Sequence, residues 1–434
     1  MRRLVFHLLT TFVTFSAIIL CVFGIFFLSY HTHSLYFFDR ILKKNLFAVQ
    51  SIDTMKYSRD TSEKVLQNPD SFKPMVDTQM ALIAETGATH VAIDTPYDAH
   101  FIPVLRLWVA SARAHNLSIW FRGNFSGWEG WFGYSKIDRA THEQLLKEFL
   151  LNNPDLFRSG DIFTPCPECE NGGPGDPRQT GDENGYNTFL LEEKEISRAM
   201  FALQVKNIAV YPSMNADIAQ QSITPATVSA FGGSILIDHY AKTPEEFGAV
   251  FDTLPQKLNA HIGLGEFGAP IPDLNGEMTQ TEQATYVDSL FNILFREQGN
   301  IPLVNYWSLS GGSTALVGAD GVPRSVYFTV RNYFKAFTVY GFIYNALGED
   351  VHGATVSIDT GNYSRIANGP YQIFVPRQYQ RVTIQADGYV PITLTMPRDA
   401  TTTVVHQDVY LQPIHPDWWY YLRANLYKNL TLNF

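Results

Sequence analysis

One glutamate stands at the end of an apolar, glycine-spaced run, "HIGLGEFGAP", which extends from His261 to Pro270. A buried strand excludes an unpaired charge, because an isolated ionised carboxylate in an apolar site is very costly. We therefore expect Glu266 to lie at a solvated strand end, where a charged group can do chemistry. A second acidic segment, "CPECEN", offers Glu168 and Glu170 earlier in the chain.

Two carboxyl groups at one cleft can cleave a glycosidic bond. One protonates the leaving oxygen, while the other attacks the anomeric carbon or activates a water molecule. The acid needs a raised pKa and the nucleophile must stay ionised, so their surroundings must differ. We expect Glu266 to form such a pair with Glu168 or Glu170. Glu170 falls at the entry to a glycine-rich loop, where a charge is more simply solvated.

The chain that must position these glutamates alternates short β-rich runs with longer helix-like ones. Eight runs predict strands: "FAVQSI", "THVAID", "LSIWFRG", "DIFTP", "NIAVYPS", "SILIDHY", "HIGLGEFG" and "PLVNYWSL". Amphipathic stretches such as "TPEEFGAVFDTLPQKLN" lie between them, and Thr243-Pro244 is a typical N-cap followed by proline. This alternation predicts a (β/α)8 TIM barrel. A doubly wound sheet is the alternative, but no glycine-rich phosphate loop follows the first strand.

The active site of a (β/α)8 barrel lies at the carboxyl ends of its strands. Polar and aromatic residues follow these ends, and we expect them to bind substrate: Arg59, Arg122, Asn124, Asn215, His239, Tyr240 and Trp307. Tyr240 is expected to donate a hydrogen bond to Glu266, and Trp307 to form the floor under the sugar. Trp128 and Trp131 are flanked by glycines, which favours exposed subsite walls, whereas Trp120 is expected to pack inside the barrel.

The strand-end residues resemble those of the clan A glycoside hydrolases, which include cellulase-like and mannanase-like families. In that clan a glutamate in an "-E-[FWY]-G" context ends strand seven, and Glu266-Phe267-Gly268 matches it. The clan's acid/base ends strand four, a tyrosine follows strand six and a tryptophan closes strand eight. Glu168 or Glu170, Tyr240 and Trp307 match these positions, although "CPECEN" departs from the usual Asn-Glu. The resemblance implies Glu266 as the nucleophile and Glu168 or Glu170 as the acid/base, about 5–5.5 Å apart as in retaining enzymes. The length of the clan's fourth strand, counted from Asp161, favours Glu168.

The resemblance covers Phe47 to Phe337, and the run from Asn305 to Phe334 looks like the clan's ending. It implies a retaining glycoside hydrolase that cleaves β-linked poly- or oligosaccharides through two glutamates. The alternative is a non-catalytic glycan-binding or cell-envelope protein on a decayed hydrolase barrel. A third possibility is transglycosylation with the same residues. Two carboxylates that face one cleft would favour an enzyme over the non-catalytic alternative.

Beyond Phe337 the pattern changes to alternating apolar and polar residues with frequent turn signals, which predicts a small β-sandwich. The runs "GEDVHGATVSI", "GPYQIFVP" and "IQADGYVPIT" resemble carboxypeptidase-regulatory-like or PEGA-like sandwich modules, which implies a spacer. We therefore expect the barrel in residues 45–337, the sandwich in 338–414 and an aromatic tail in 415–434. The tail packs back on a domain or touches a membrane or glycan.

The N-terminal segment differs in kind from the rest. Leu4 to Tyr30 is apolar and long enough to cross a bilayer, which takes roughly 20 residues. A cleavable signal peptide would have a shorter apolar core and a small-x-small cleavage site. We therefore predict an uncleaved signal anchor in residues 1–32. Arg2 and Arg3 favour a cytoplasmic N-terminus, so the protein is expected to be single-pass, with its catalytic domain extracytoplasmic.

Composition limits the partners and cofactors. The 434 residues carry a net charge of -10 and are 45% apolar, which argues against disorder and against a nucleic-acid partner. Cys21 lies in the apolar N-terminal segment, which leaves Cys166 and Cys169 as a local disulfide or two plain thiols. Zinc needs four ligands, and the sequence has no second CxxC. We predict neither a metal nor another cofactor.

Overall fold

The computed structural model of the chain describes residues 42–359, 363–398 and 403–431. The described residues from Asn45 onward cluster as one compact unit. The signal anchor predicted in residues 1–32 lies outside the described residues. Among the residues that are described, none of the helices combines the length and apolar character that crossing a bilayer requires.

A parallel sheet of nine strand segments forms the first part of the compact unit. The segments are β1 (Val49–Asp53), β2 (His90–Ile93), β3 (Ser118–Phe121), β4 (Ile162–Phe163), β5 (Ala209–Val210), β6 (Ser213–Asn215), β7 (Ser234–Asp238), β8 (His261–Phe267) and β9 (Leu303–Tyr306). β1 pairs in parallel with both β2 and β9, which joins the first and last segments. Each of the eight predicted runs contains an observed strand.

The segments β5 and β6 are two pieces of one barrel strand. β5 pairs with β4, and β6 pairs with β7 after the interruption at Tyr211 and Pro212. Pro212 has no N–H to donate to a neighbouring strand, which accounts for the break. Ser213 also bridges in parallel to Pro167, in the loop after β4. The curled sheet therefore has the eight strands of the predicted TIM barrel, with one of them broken.

Helices connect successive strands. They are α1 (Met55–Ser58), α2 (Ser62–Gln67), α3 (Pro69–Glu85), α4 (Ile102–Ala114), α5 (Ser126–Glu129), α6 (Arg139–Asn152), α7 (Pro177–Thr180), α8 (Glu183–Leu203), α9 (Ala216–Gln221), α10 (Pro225–Ala230), α11 (Pro244–Leu258), α12 (Pro272–Asn275), α13 (Gln280–Arg296) and α14 (Ser325–Phe334). The predicted cap is present at α11, where Thr243 Oγ1 accepts a hydrogen bond from the Glu246 N–H. Thr279 and Glu282 form a reciprocal capping box at α13.

Trp120 fills the inside of the barrel, as the sequence predicts. Its indole N–H donates to Thr164 Oγ1 at 3.0 Å. The side chains buried around it come from four other strands: Ala92, Ile162, Leu236 and Leu303. Because side chains alternate along a strand, the intervening residues face outward and pack against the helices. The barrel centre is therefore a packed core, and the end available for a site is the one where the strands have their carboxyl ends.

A small all-β region follows α14. Its first sheet pairs β10 (Phe337–Asn345) with β13 (Pro370–Val375) on one side and with β16 (Val404–His406) and β17 (Val409–Leu411) on the other. The second sheet has the order β12 (Ser364–Ala367), β11 (Ala354–Ile358), β14 (Arg381–Gln385) and β15 (Ile392–Thr395). Burial alternates along β11 and β14, so one face of this sheet packs inward. The predicted all-β domain is present, and its resemblance to particular modules stays a prediction.

The described chain ends in α15 (Trp418–Thr431). Tyr420 packs back on the all-β region, where its hydroxyl accepts a hydrogen bond from the Ala346 N–H at 3.1 Å. Trp418 and Trp419 stack on each other with centroids 4.1 Å apart, and they are 65% and 53% exposed. The aromatic cluster of the tail is therefore only partly packed against the domain before it.

Candidate active site

Glu266 occupies the carboxyl-terminal part of β8, the seventh barrel strand. It is only 5% exposed, so the expectation of a solvated strand end is wrong. Two groups take the place of solvent: Arg122 Nη2 lies 3.2 Å from Glu266 Oε1, and the Tyr240 hydroxyl donates to Oε2 at 2.9 Å. The predicted hydrogen bond from Tyr240 is thus confirmed. Burial raises the pKa of Glu266, while Arg122 and Tyr240 act in the opposite direction.

Arg122 follows β3 and is the buried cation at the centre of the site. Its side chain is 1% exposed and contacts three carboxylates, since Nη2 is 3.3 Å from Asp238 Oδ2 and Nη1 is 3.7 Å from Asp53 Oδ2. It also donates to the carbonyl of Gly265. A guanidinium held this deeply cannot stack on a sugar, so the expectation that Arg122 binds substrate directly is wrong. Its position lets it compensate the buried negative charge.

Glu168 follows β4 and points toward Glu266. One carboxylate oxygen from each of Glu168, Asp238 and Glu266 lies within 4.8 Å of the other two. Burial raises the pKa of Glu168 well above its ordinary value, and the nearby Glu266 and Asp238 carboxylates raise it further. Burial and the neighbouring carboxylates therefore both favour the protonated form of Glu168.

Glu170 lies only two residues further on but is turned away into a separate set of hydrogen bonds. Its Oε2 accepts from the Tyr186 hydroxyl at 2.8 Å, and its Oε1 accepts from the Asn215 N–H at 2.6 Å and from Asn215 Nδ2 at 3.0 Å. Glu170 is 1% exposed, so the solvated position expected from its glycine-rich neighbourhood is wrong. Asn215 is engaged by Glu170 and holds the loop rather than standing open to substrate.

Asp238 is the residue that the sequence reading missed. It ends β7, accepts from Ser213 Oγ at 3.0 Å and shares Arg122 with Glu266. The glycine spacing of β8 makes this approach possible, because a Cβ on Gly265 would lie 2.2 Å from Asp238 Oδ1. Burial raises the pKa of Asp238 well above its ordinary value, and Arg122 opposes this. The sequence contains two features that indicate Asp238: it is a carboxylate at a strand end, and the neighbouring strand β8 contains glycines.

His239, the neighbour of Asp238, faces the other side of the strand. Its ring stacks on Phe247 with centroids 5.1 Å apart, and Nε2 lies 3.3 Å from the Phe247 carbonyl oxygen. Burial lowers the pKa of His239 to about 4, so it is neutral. The expectation that His239 binds substrate is wrong, because Asp238 and Tyr240 point into the site and the residue between them must point out.

Trp307 follows β9 at the same end of the barrel. It is half-buried, and its ring meets Tyr240 edge-on at a centroid distance of 6.3 Å. Lys56 Nζ lies 5.3 Å from the ring centroid on the rim side. The ring is therefore beside the residues that hold Glu266 and is not packed under the barrel.

Two residues that follow β3, Asn124 and Trp128, lie below the surface. Asn124 is 0% exposed, and its Oδ1 lies 2.7 Å from His142 Nε2. Trp128 is 1% exposed and stacks on Phe189 at 5.3 Å, with its N–H donating to the Cys169 carbonyl at 3.1 Å. The expectations that Asn124 binds substrate and that Trp128 forms an exposed subsite wall are wrong, because both are covered by the loop after β4.

Trp131 and Arg59 form a pair at the rim. Arg59 Cζ lies 4.4 Å from the centroid of the Trp131 ring, and both side chains are half-buried. Glu129 is close by, and burial raises its pKa to about 7 although Arg59 opposes the shift. These positions agree with the expected rim location of Trp131 and Arg59, whereas Glu129 is an additional titrating group.

The floor beneath Arg122 contains two more carboxyl groups, Asp53 and Asp94. Asp53 ends β1 and accepts from Asn305 Nδ2 at 3.3 Å and from the Met55 N–H at 2.6 Å. Burial raises the pKa of Asp94 well above its ordinary value, and Asp53 raises it further, whereas Arg122 opposes the shift. The raised pKa favours the uncharged form of Asp94, which would leave Arg122 less negative charge to compensate.

Three carboxylates within 4.8 Å form the kind of oxygen donor set that holds a divalent cation. Arg122 already provides positive charge at 3.2 Å from Glu266 and 3.3 Å from Asp238. The arrangement is therefore a pair of carboxylates around a fixed guanidinium, with a third carboxyl group, Glu168, whose pKa is raised. Such a set can donate a proton from one group while another attacks or is stabilised as an anion.

Solved structures similar to this chain are glycoside hydrolases. Bacteroides uniformis beta-glucuronidase 2, covalently bound to cyclophellitol-6-carboxylate aziridine, is 11% identical with a TM-score of 0.42, and the match covers 77% of this chain and 44% of that one. A GH5-4 broad specificity endoglucanase from Bacteroides salanitronis is 13% identical with a TM-score of 0.44, over 59% and 85%. A fungal beta-1,4-galactanase is 12% identical with a TM-score of 0.46, over 66% and 99%.

The chain spans less than half the length of the beta-glucuronidase that it matches, at 44%. No protein-family model matches the sequence, and no curated protein matches it either. Identities this low do not transfer an activity, and one fold supports many reactions. The function has to be derived from the carboxyl groups and the guanidinium at the carboxyl ends of the barrel strands.

Proposed function

We propose that the protein is a retaining glycoside hydrolase that cleaves β-linked poly- or oligosaccharides, with Glu266 as the nucleophile and Glu168 as the acid/base. The observation that carries this proposal is the pair itself. One oxygen of each carboxyl group lies within 4.8 Å of the other, and this short approach favours the roughly 5–5.5 Å separation of carboxyl groups that is typical of retaining enzymes. Inverting enzymes need about 6.5–9.5 Å, to leave room for a water molecule.

The surroundings of the two groups differ in the way the reaction needs. Arg122 at 3.2 Å and the Tyr240 hydroxyl at 2.9 Å favour the ionised form of Glu266. Glu168 accepts no side-chain hydrogen bond from the described residues: burial and the carboxylates of Glu266, Asp238 and Glu170 raise its pKa well above the ordinary value, and Arg122 opposes this shift. The larger upward shift of the Glu168 pKa supports Glu168 as the acid and Glu266 as the nucleophile.

In the first step Glu266 attacks the anomeric carbon while Glu168 gives its proton to the leaving glycosidic oxygen. The products are a glycosyl ester on Glu266 and a free hydroxyl on the departing saccharide. In the second step the ionised Glu168 takes a proton from water, which attacks the anomeric carbon and releases Glu266. Arg122 and Tyr240 keep Glu266 fixed and anionic at the start and at the end of this cycle.

The sugar at the cleavage point is proposed to lie against Trp307, which stands beside Tyr240 at a centroid distance of 6.3 Å. An indole face suits the apolar face of a pyranose ring, because both are flat and weakly polar. Trp131 at the rim, with Arg59 stacked on it, is proposed as a wall for the next saccharide unit. An aromatic wall away from the glutamates favours a substrate of more than one sugar.

We also propose that the protein is membrane-anchored, single-pass and extracytoplasmic. The apolar segment from Leu4 to Tyr30, after Arg2 and Arg3, supports a signal anchor with a cytoplasmic N-terminus. The disulfide between Cys166 and Cys169 supports an oxidising compartment for the barrel. Fractionation of expressing cells, with protease added outside, tests this: a barrel protected by the membrane would contradict it.

Trapping the glycosyl ester tests the proposed function directly. A panel of 2-deoxy-2-fluoro β-glycosides of glucose, galactose, mannose and xylose with activated leaving groups should label Glu266, and mass spectrometry of the digested protein should locate the added mass there. Wild type should also hydrolyse β-glucans, mannans or xylans, and Glu266→Gln should not. Binding of these polysaccharides without turnover would instead favour the non-catalytic alternative, and longer products would indicate transglycosylation.

A further inference from the structure

The segment that carries Glu168 is closed by a disulfide. Cys166 and Cys169 are bonded to each other across a Cα–Cα distance of 5.3 Å, and Pro167 and Glu168 lie inside this small ring. The two cysteines are only 2% and 1% exposed. The proposed acid/base therefore sits in a covalent loop of four residues rather than on a regular strand.

Glu168 differs from the other glutamates in what holds its side chain. Glu266 is held by Arg122 and Tyr240, and Glu170 by Tyr186 and Asn215. For Glu168, the described residues provide no side-chain hydrogen bond, and only its backbone is tied. Its N–H donates to the Ser213 carbonyl at 2.9 Å, and its own carbonyl accepts from the Asn171 N–H at 2.7 Å. The direction of the side chain is therefore set by the backbone of the loop.

That backbone is in a conformation that Glu168 would not adopt by itself. Its φ is +45°, in the left-handed region that favours glycine. A non-glycine residue remains there only when its surroundings fix it, and such residues are concentrated at functional sites. The disulfide is the covalent constraint on both sides of Glu168, so it is the part of the surroundings that can be removed without touching the carboxyl group.

Both cysteines are in turn fixed from below by the loop after β3. Asn124 Nδ2 lies 3.4 Å from Cys166 Sγ, and the Trp128 indole N–H donates to the Cys169 carbonyl at 3.1 Å. Asn124 is held by His142, whose Nδ1 lies 2.9 Å from Glu193 Oε1. Contacts between buried polar residues therefore run from Glu193 on α8 through His142 on α6 and Asn124 to the disulfide. These contacts hold the disulfide in place.

We propose that Cys166 and Cys169 are positioning residues: their disulfide holds Glu168 in its left-handed conformation and directs its carboxyl group at Glu266 and the glycosidic oxygen. The inference rests on the proposed function for the reaction it serves. Opening the ring lets Glu168 return to an ordinary backbone conformation, and its side chain leaves the site. The fold and Glu266 are left in place, so the nucleophile survives while the acid is lost.

The dependence of activity on the leaving group distinguishes loss of the acid from a general loss of structure. We compare wild type with Cys166→Ser/Cys169→Ser on 2,4-dinitrophenyl and methyl β-glycosides of the sugars in the panel. The methyl glycosides need a proton donor, so their kcat/KM should fall by about 10²-fold or more. The dinitrophenyl glycosides leave without one, and their glycosylation rate should change by less than about 10-fold. Cys21→Ser is the matched control and should behave as wild type.

The protonation of Glu168 gives a readout that needs no turnover. In wild type the carboxyl group faces Glu266 on β8, Asp238 on β7, Glu170 in its own loop and Arg122 after β3, and it also lies close to Tyr240. Carbon-13 NMR of protein labelled at the glutamate side-chain carboxyl carbon, assigned with Glu168→Gln, should show its pKa lowered in the double serine variant.

If the double serine variant does not fold, reversible reduction of the disulfide in the wild-type protein tests the same proposal. Dithiothreitol gives two electrons and two protons to the bonded sulfurs, which yields two thiols and the cyclic disulfide of the reagent. Under anaerobic conditions, with folding followed by circular dichroism, the treated wild type should show the same selective loss, and reoxidation should restore it. The sulfurs are buried, so mild denaturant is added until a thiol count shows reduction.

Two results would overturn the proposal. One is an equal loss on both leaving-group classes, which would make the disulfide a general support of the fold. The other is an unchanged carbon-13 titration of Glu168 after the ring is opened, since the carboxyl group would then have stayed in place. If wild type hydrolyses no glycoside in the panel, the proposed function fails, while the titration still decides whether the disulfide positions Glu168.

Discussion

Glu266 and Glu168 reach one point in the site from segments of opposite character. Glu266 belongs to β8, a seven-residue strand with neighbours on both sides, and its carboxylate is held by Arg122 and Tyr240. Glu168 follows a two-residue strand, β4, and has a left-handed backbone inside a disulfide ring. The proposed nucleophile is thus fixed through its side chain and the proposed acid through its backbone.

This difference matches the demands of the two groups. A nucleophile has to stay ionised, and the hydrogen bonds and cation that keep Glu266 ionised also orient it. An acid has to keep a proton and then release it, and strong partners would bind that proton or expel it. Fixing Glu168 through the backbone leaves its carboxyl group without competing partners. Substitutions at the two segments should therefore fail in different ways.

The largest effect is expected at Glu266. Glu266→Gln removes the nucleophile but keeps the shape of the side chain, so kcat on every glycoside should fall by about 10⁴-fold or more. The loss should be the same for dinitrophenyl and methyl leaving groups, because both need the attack on the anomeric carbon. Glu245→Gln, an exposed position on α11, is the control and should keep wild-type rates.

A smaller and selective loss is expected at Glu168. Glu168→Gln cannot donate a proton, so methyl glycosides should lose about 10²–10⁴-fold in kcat/KM and dinitrophenyl glycosides far less. In wild type the raised pKa of Glu168 keeps it protonated above the ordinary carboxyl range, and activity falls as pH rises through that pKa. This alkaline limb should be absent in Glu168→Gln. A profile that keeps its alkaline limb would assign the acid to another group.

The two segments also explain how much could be predicted from the sequence. The alternation of apolar residues and glycines predicted β8, its Glu266 and the partner Tyr240, because a regular strand has a fixed side-chain period. The barrel with its small all-β domain followed from the same kind of pattern. The pattern did not reveal Asp238, since a strand end carries polar residues for many reasons. It also misplaced His239, which the same alternation turns outward.

The loops were harder, because their geometry depends on distant contacts. Glycines beside Trp128 suggested exposure, yet that ring lies under the loop after β4 and stacks on Phe189. The strand count favoured Glu168 over Glu170, and a local disulfide between Cys166 and Cys169 was one of the two expected states of these cysteines. The left-handed backbone of Glu168 could not be predicted. Nor could the sequence indicate that Glu266 is buried and lies beside the guanidinium of Arg122, which follows another strand.

An intermediate effect is expected at Tyr240, the side-chain support of Glu266. Tyr240→Phe removes a hydrogen bond to a charged group, which corresponds to about 10–100-fold in kcat/KM. The hydroxyl lowers the pKa of Glu266, so its removal should raise that pKa. The acidic limb of the pH profile, where Glu266 becomes ionised, should therefore move to higher pH. An acidic limb that stays in place would show that Arg122 alone keeps Glu266 ionised.

The smallest effect on catalysis is expected at Glu170. A comparison of Glu170→Ala with Glu168→Gln distinguishes a residue that stabilises the loop from one that takes part in the reaction. Glu170→Ala leaves the Tyr186 hydroxyl and the Asn215 N–H without their buried acceptor, which should lower the free energy of unfolding by about 1–3 kcal/mol. Glu168→Gln removes a buried carboxyl group without hydrogen-bond partners in the described structure, so its unfolding free energy should stay within about 0.5 kcal/mol of wild type or rise. Urea unfolding measures both. Equal destabilisation by the two variants would mean that Glu168 also supports the loop, and a change of leaving-group preference in Glu170→Ala would mean that Glu170 takes part in the proton transfer.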